Sequence, residues 1–99
     1  MSVVSVLSLP VRAGEEESIA RLYDELEIFE LSRRSGGFLG GRLLRPLGAG
    51  EPFLVIAEWV GPEDYQRWLD NPIRAELGGR IAPLLDGEVA AGTVYTEAG

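Results

Sequence analysis

The sequence predicts an α+β domain in which a four-stranded antiparallel sheet carries two helical segments on one face. Three observations lead there. Short Val-rich or apolar runs recur at Val3–Leu9, Phe53–Val60 and near the end of the chain. A long amphipathic stretch follows the first run, and a second helical stretch opens at Pro62. The 99 residues are enough for one domain and for burial of roughly 65% of the unfolded surface, which supports one core without staples. We therefore treat 1–99 as a single domain, with no linker, repeat or low-complexity tract dividing it.

The elements follow in order. Val3–Leu9 reads as a strand buried on both sides, and Pro10–Gly14 as a turn. Between Glu15 and Arg34, Ile19, Leu22, Tyr23, Leu26 and Phe29 fall at helical spacing and predict one long helix. Glutamates open it and Arg33-Arg34 close it, which suits the helix dipole, while Glu17 with Arg21 and Glu30 with Arg34 are spaced as i,i+4 pairs. Gly36-Gly37 stops it. Phe38–Arg45 is the next strand, and Gly40-Gly41 predicts a bulge or a close backbone approach. Pro46–Pro52 is a hairpin loop, and Phe53–Val60 is the clearest strand. Pro62 starts a helix to Asp70 that places Tyr65, Trp68 and Leu69 on one face. Asn71-Pro72 breaks it, Ile73–Leu85 resumes as helix, and Gly87–Thr96 supplies the last strand. The order βαββαβ is the ferredoxin-like split βαβ arrangement. Its second sheet face is left without helices although the strands are apolar on both sides, so a two-chain barrel is the simplest closed solution and a homodimer is expected.

Composition narrows the chemistry. The 9 basic and 16 acidic residues give a net charge of −7, the wrong sign for nucleic acid or an anionic membrane. All the basic residues are Arg, and the sequence contains no Lys, His or Cys. Lysine Schiff bases, Ser-His and Cys-His nucleophiles, thiol redox and His/Cys metal cages are thereby excluded. No metal or cofactor is expected, and no targeting signal or membrane span is read in the opening residues, so a cytoplasmic location is the default. The βαββαβ order is shared with RNA-recognition domains, but the third strand lacks their basic, paired-aromatic pattern.

Three segments together carry a resemblance: Gly37-Phe-Leu-Gly-Gly-Arg-Leu-Leu-Arg-Pro46, Phe53-Leu-Val-Ile-Ala-Glu-Trp59 and Pro62-Glu-Asp-Tyr-Gln-Arg-Trp68. In this order the chain resembles the antibiotic biosynthesis monooxygenase family from Val3 to about Tyr95. The resemblance implies a dimeric α+β barrel and, among several activities, cofactor-independent oxygenation or haem degradation. For the haem-degrading branch it implies an Asn near the end of the first strand, a Trp on the second helix and an axial His beyond that Trp. Leu7 and Leu77 stand at the Asn and His positions and only Trp68 matches, so haem cleavage is not expected.

The expected function is a cofactor-independent monooxygenase acting on an activated aromatic or quinol-like molecule. The alternative is a non-catalytic dimeric barrel that binds a small apolar ligand. In the enzyme reading Trp68 and Tyr65 line the pocket, Arg42 holds an enolate or phenolate, and Glu58 takes a proton. Glu58 shares a strand face with Ile56 and Val60, and burial there would raise its pKa. Trp59 and Tyr23 are expected to be packing residues.

Overall fold

The computed structural model describes residues 1–99. Strands β1 (Val3–Leu9), β2 (Phe38–Leu44), β3 (Phe53–Trp59) and β4 (Thr93–Tyr95) form one sheet in the order β2-β3-β1-β4, with every pairing antiparallel. Helices α1 (Glu16–Glu25), α2 (Ile28–Ser35), α3 (Pro62–Asp70) and α4 (Pro72–Ile81) follow the sequence order, and a 3-10 turn spans Ala82–Leu84. The ferredoxin-like arrangement predicted from the sequence is the one observed.

Strand alternation decides which side chains meet the helices. Val3, Ser5 and Leu9 of β1, with Phe53, Ala57 and Trp59 of β3, are buried on the helix side. Ile19, Tyr23, Ile28, Tyr65, Trp68, Leu77 and Ile81 close over them. The opposite face carries Val4, Val6, Leu54, Ile56 and Leu44, half-buried and covered by no element of this chain.

The long first helix is in fact two. Glu27 takes the left-handed conformation (φ 52°) and breaks the ladder between α1 and α2. The apolar stripe runs through this break, because Tyr23 and Ile28 are both buried, so periodicity alone could not reveal it. The i,i+4 ion pairs are also replaced: Glu17 bridges Arg45 at 2.8 Å, and Glu30 holds Arg33 instead of Arg34. The last strand is reduced from Gly87–Thr96 to three residues. Val89, which would belong to the longer strand, packs against the core instead.

Glycines fix two close approaches. Gly41 faces Phe29, where a Cβ would meet the ring at 2.8 Å, and the register shift lies between Phe38 and Gly40. Both sequence alternatives for Gly40-Gly41, bulge and close approach, are therefore realised. Gly37 has φ +74°, and a Cβ there would sit 2.2 Å from Asp64 Cγ. Its carbonyl accepts from the Val60 N–H at 2.8 Å, while the Gly61 N–H donates to Asp64 Oδ2 at 2.9 Å to cap α3. Gly37→Ala combines left-handed strain with loss of the Asp64 cap. We expect it to cost about 2 kcal/mol or more and to lower Tm by roughly 10 °C in a thermal melt; an unchanged Tm would show that the α2–β2 corner relaxes freely.

Candidate functional site

A cavity of about 450 Å³ lies between the helix side of the sheet and the helices. That volume falls in the range of small-molecule sites. Its floor is Ser5, Leu7, Val55, Ala57 and Trp59 of β1 and β3. The walls come from Tyr23 of α1, Phe29 and Ser32 of α2, Tyr65 and Trp68 of α3, and Arg74, Leu77 and Gly78 of α4. Glu88 and Val89 lie at the segment leading to β4.

Each wall residue is placed by its element. Pro62 and the Asp64 cap start α3 so that Tyr65 and Trp68, one turn apart, both turn inward, each 6% exposed. The Tyr65 hydroxyl accepts from the Gly92 N–H at 2.9 Å, which pins the chain just before β4 to the pocket wall. Trp59 is 1% exposed, and its Nε1–H donates to Ser5 Oγ at 3.0 Å across the β1–β3 pair. Ser32 Oγ is satisfied by donating to the Ile28 carbonyl at 2.9 Å. Asn71 accepts from the Ile73 N–H at 3.1 Å and starts α4, which has Gly78-Gly79 in its last turn and puts Leu77 and Ile81 against the cavity.

The four residues expected from the sequence divide into two pairs. Trp68 and Tyr65 stand together in the cavity wall. Glu58 and Arg42 are on the opposite sheet face, both exposed, in register with Val4 and Ile56 respectively. Glu58 accepts from Ser2 Oγ at 2.8 Å there. The burial on which its expected role rested is absent, and neither side chain lines this chain's cavity. The alternation that turns Trp59 inward turns Glu58 outward. Leu7 and Leu77 both line the cavity, so the two positions that the resemblance assigns to Asn and His present aliphatic surface.

Three lining groups were not singled out for chemistry by sequence. Tyr23, assigned to packing alone, contributes its ring to the core and its phenol to the wall. Burial pushes its hydroxyl up to about 12, partly opposed by the positive charge of Arg74. Arg74 is a half-buried arginine with no salt-bridge partner, and Glu88 is an exposed carboxylate at the rim. The cavity can therefore surround an apolar, aromatic body and offer polar contacts at a few points. The lining contains no His, Cys or Met.

The Tyr23 shift links stability to pH. The folded-state pKa is raised, so the unfolded chain loses the phenol proton first. Stability from this group is fully present below about pH 10 and is lost as pH rises toward 12, by at most roughly 3 kcal/mol. Urea midpoints measured between pH 8 and pH 11.5 should fall more steeply for the wild type than for Tyr23→Phe. Parallel curves would mean that the phenol ionises freely in the folded state.

No protein-family profile matches the chain. Individual proteins do. Over 88 residues the chain is 32% identical to the heme oxygenase (mycobilin-producing) of Mycobacterium tuberculosis, a match spanning 88% of this chain and 82% of that one. A Bordetella bronchiseptica structure assigned as an antibiotic biosynthesis monooxygenase superposes with TM-score 0.84 at 13% identity, covering 98% of this chain and 97% of that one. The cofactor-independent oxygenase SnoaB of Streptomyces nogalater superposes with TM-score 0.76 at 20% identity, covering 99% and 94%. The two structures establish the shared fold and the first relative a shared ancestry along nearly the whole domain: the chain belongs to the antibiotic biosynthesis monooxygenase family.

Proposed function

We propose that the protein is a cytoplasmic monooxygenase that inserts oxygen into an activated aromatic or quinol-like small molecule without a resident metal or flavin. The observation that carries this reading is the aromatic-walled, apolar cavity in which Leu7 and Leu77 occupy the positions expected of haem-degrading residues. Haem, the substrate named for the mycobacterial relative, fits this donor set poorly. The chain has no His or Cys, and a Tyr23 phenol pushed up to about 12 by burial resists becoming the phenolate that binds ferric iron. The SnoaB likeness is consistent with the metal-free reading but, at its identity, contributes fold only.

Such chemistry asks modest things of the protein. A substrate with an activated CH₂ loses a proton to give a stabilised carbanion, which reduces O₂ by one electron. Recombination forms the C–O bond of a peroxide, which is protonated to the hydroperoxide. Loss of the second C–H proton with cleavage of the O–O bond leaves a ketone and water, so R₂CH₂ + O₂ gives R₂CO + H₂O. The protein's part is to hold the ring against Trp68 and Tyr65, exclude bulk water, and stabilise the anion. Oxygen uptake with anthrone-like and hydroquinone substrates tests it. Trp68→Phe should stay folded and lose about tenfold in kcat/KM, near 1.4 kcal/mol, and haemin should give no stoichiometric Soret shift. Uptake no faster than autoxidation across the panel would favour a binding protein. Saturable haemin binding with ring opening on reduction would return the chain to haem chemistry.

The working unit in this proposal is a homodimer. The sheet face opposite the helices presents Val4, Val6, Leu44, Leu54 and Ile56, flanked by Val60 and Tyr95, each 55% exposed. Packing this face on a second copy would also bring Glu58 and Arg42 into an interface. Sedimentation at low micromolar concentration should give twice the 10.7 kDa chain mass; a stable monomer there would overturn it.

A further inference from the structure

The cavity contains one half-buried charge that nothing in the chain neutralises. Eight of the 9 arginines are exposed, and only Arg74 is half-buried. Arg33, Arg45 and Arg67 have carboxylate partners, and Arg12 donates to the Leu85 carbonyl. Arg74 has neither kind of contact, although it is half-buried on a mostly apolar lining where water competes for the guanidinium less than at the open surface. Beside it the hydroxyl of Tyr23, a residue only 7% exposed, makes no hydrogen bond within the chain and opens toward the cavity, whereas Ser5, Ser32 and Tyr65 on the same lining are all engaged. Glu88, the one carboxylate on the lining, is exposed and forms no ion pair with Arg74. The cavity thus combines an aromatic body with an unused cation and an unused phenol donor at one place.

The geometry points to an anion subsite formed by Arg74 and Tyr23, so that the preferred ligand is an aromatic acid: its carboxylate pairs with Arg74 and accepts from the Tyr23 hydroxyl, while its ring lies among Trp59, Tyr65 and Trp68. This deepens the reading of the cavity as a substrate pocket and rests on it. The protonated Tyr23 suits the role, since a phenol that keeps its proton remains a donor to an anion. The subsite makes Arg74 a specificity residue, selecting acidic over neutral aromatics of the same shape.

Both tryptophans of the chain line the cavity, so their fluorescence reports its occupancy. The probes are 2-naphthoate and its neutral isostere 2-naphthamide. Wild type should bind the carboxylate about tenfold or more tightly than the amide, as a charge-assisted pair in an apolar wall implies. Arg74→Met should bring the two within about twofold with amide affinity unchanged, Arg74→Lys should keep most of the preference, and Tyr23→Phe should remove part of it. Far-ultraviolet circular dichroism and Tm confirm that each variant is folded. Equal affinities in wild type, no saturable binding of either probe, or a preference that survives Arg74→Met would overturn the subsite. Oxygen uptake separates the two levels of the argument. Selective naphthoate binding without turnover of any acidic aromatic sinks the oxygenase reading alone, and turnover indifferent to substrate charge sinks the anion subsite alone.

Discussion

The indole of Trp59 is the constraint around which the rest of the molecule is arranged. It is all but inaccessible, it sits at the end of β3, and its N–H is satisfied by a serine on the neighbouring strand. Burying an indole is strongly favourable, but leaving its N–H unpaired would cost about 1–3 kcal/mol. Ser5 therefore has to face inward on β1, and the register of Val3 with Trp59 and Leu9 with Phe53 follows. From this ring a relay of aromatic contacts runs outward. Phe38 meets it edge-on at 5.2 Å and stacks on Phe29 at 6.1 Å, which in turn reaches Tyr23 at 6.0 Å; on the other side Tyr65 lies at 5.6 Å. Five elements are tied together by one string of rings. The same string forms much of the cavity wall, so the fold and the site are built from a common set of side chains.

That shared construction gives the pocket its character. Rings held by packing are preorganised and need no ligand to order them. The polar groups among them are mostly consumed in holding the wall together, as with Ser5, Ser32 and the Tyr65 hydroxyl. What remains free for a guest is therefore sparse and localised, and its placement matters more than its number.

The fold was readable because its cores alternate cleanly. Phe53, Ala57 and Trp59 against Glu58 show a period of 2, and Pro62 followed by Tyr65 and Trp68 shows a period near 3.6. The break at Glu27 was not readable, since glutamate has no preference for the left-handed region and the apolar stripe continues past it. The end of the chain reads as a long strand because Gly87–Thr96 is rich in small and β-branched residues, yet only three residues find ladder partners on β1. For the site, Trp68 and Tyr65 were visible from the face of α3 alone. Glu58 beside Trp59 could have been assigned correctly, because neighbours on a strand point to opposite faces. Arg74 could not: in the first turn of a helix an arginine opposes the dipole and reads as a solvated charge, and only the tertiary packing of α4 over the sheet brings it to the cavity.

The helix that carries Arg74 has two adjacent glycines in its last turn, Gly78 and Gly79, and a Cβ at either would touch nothing. The open space means that neither glycine is demanded by close packing, while each weakens the helix by about 1 kcal/mol relative to alanine. The part of the cavity wall formed by α4 is thus a helix of reduced intrinsic stability. The rings that α1, α2, α3 and the strands lock together by packing face a wall of softer backbone in α4, and local fraying of that helix would widen the cavity without disturbing the rings that define its shape.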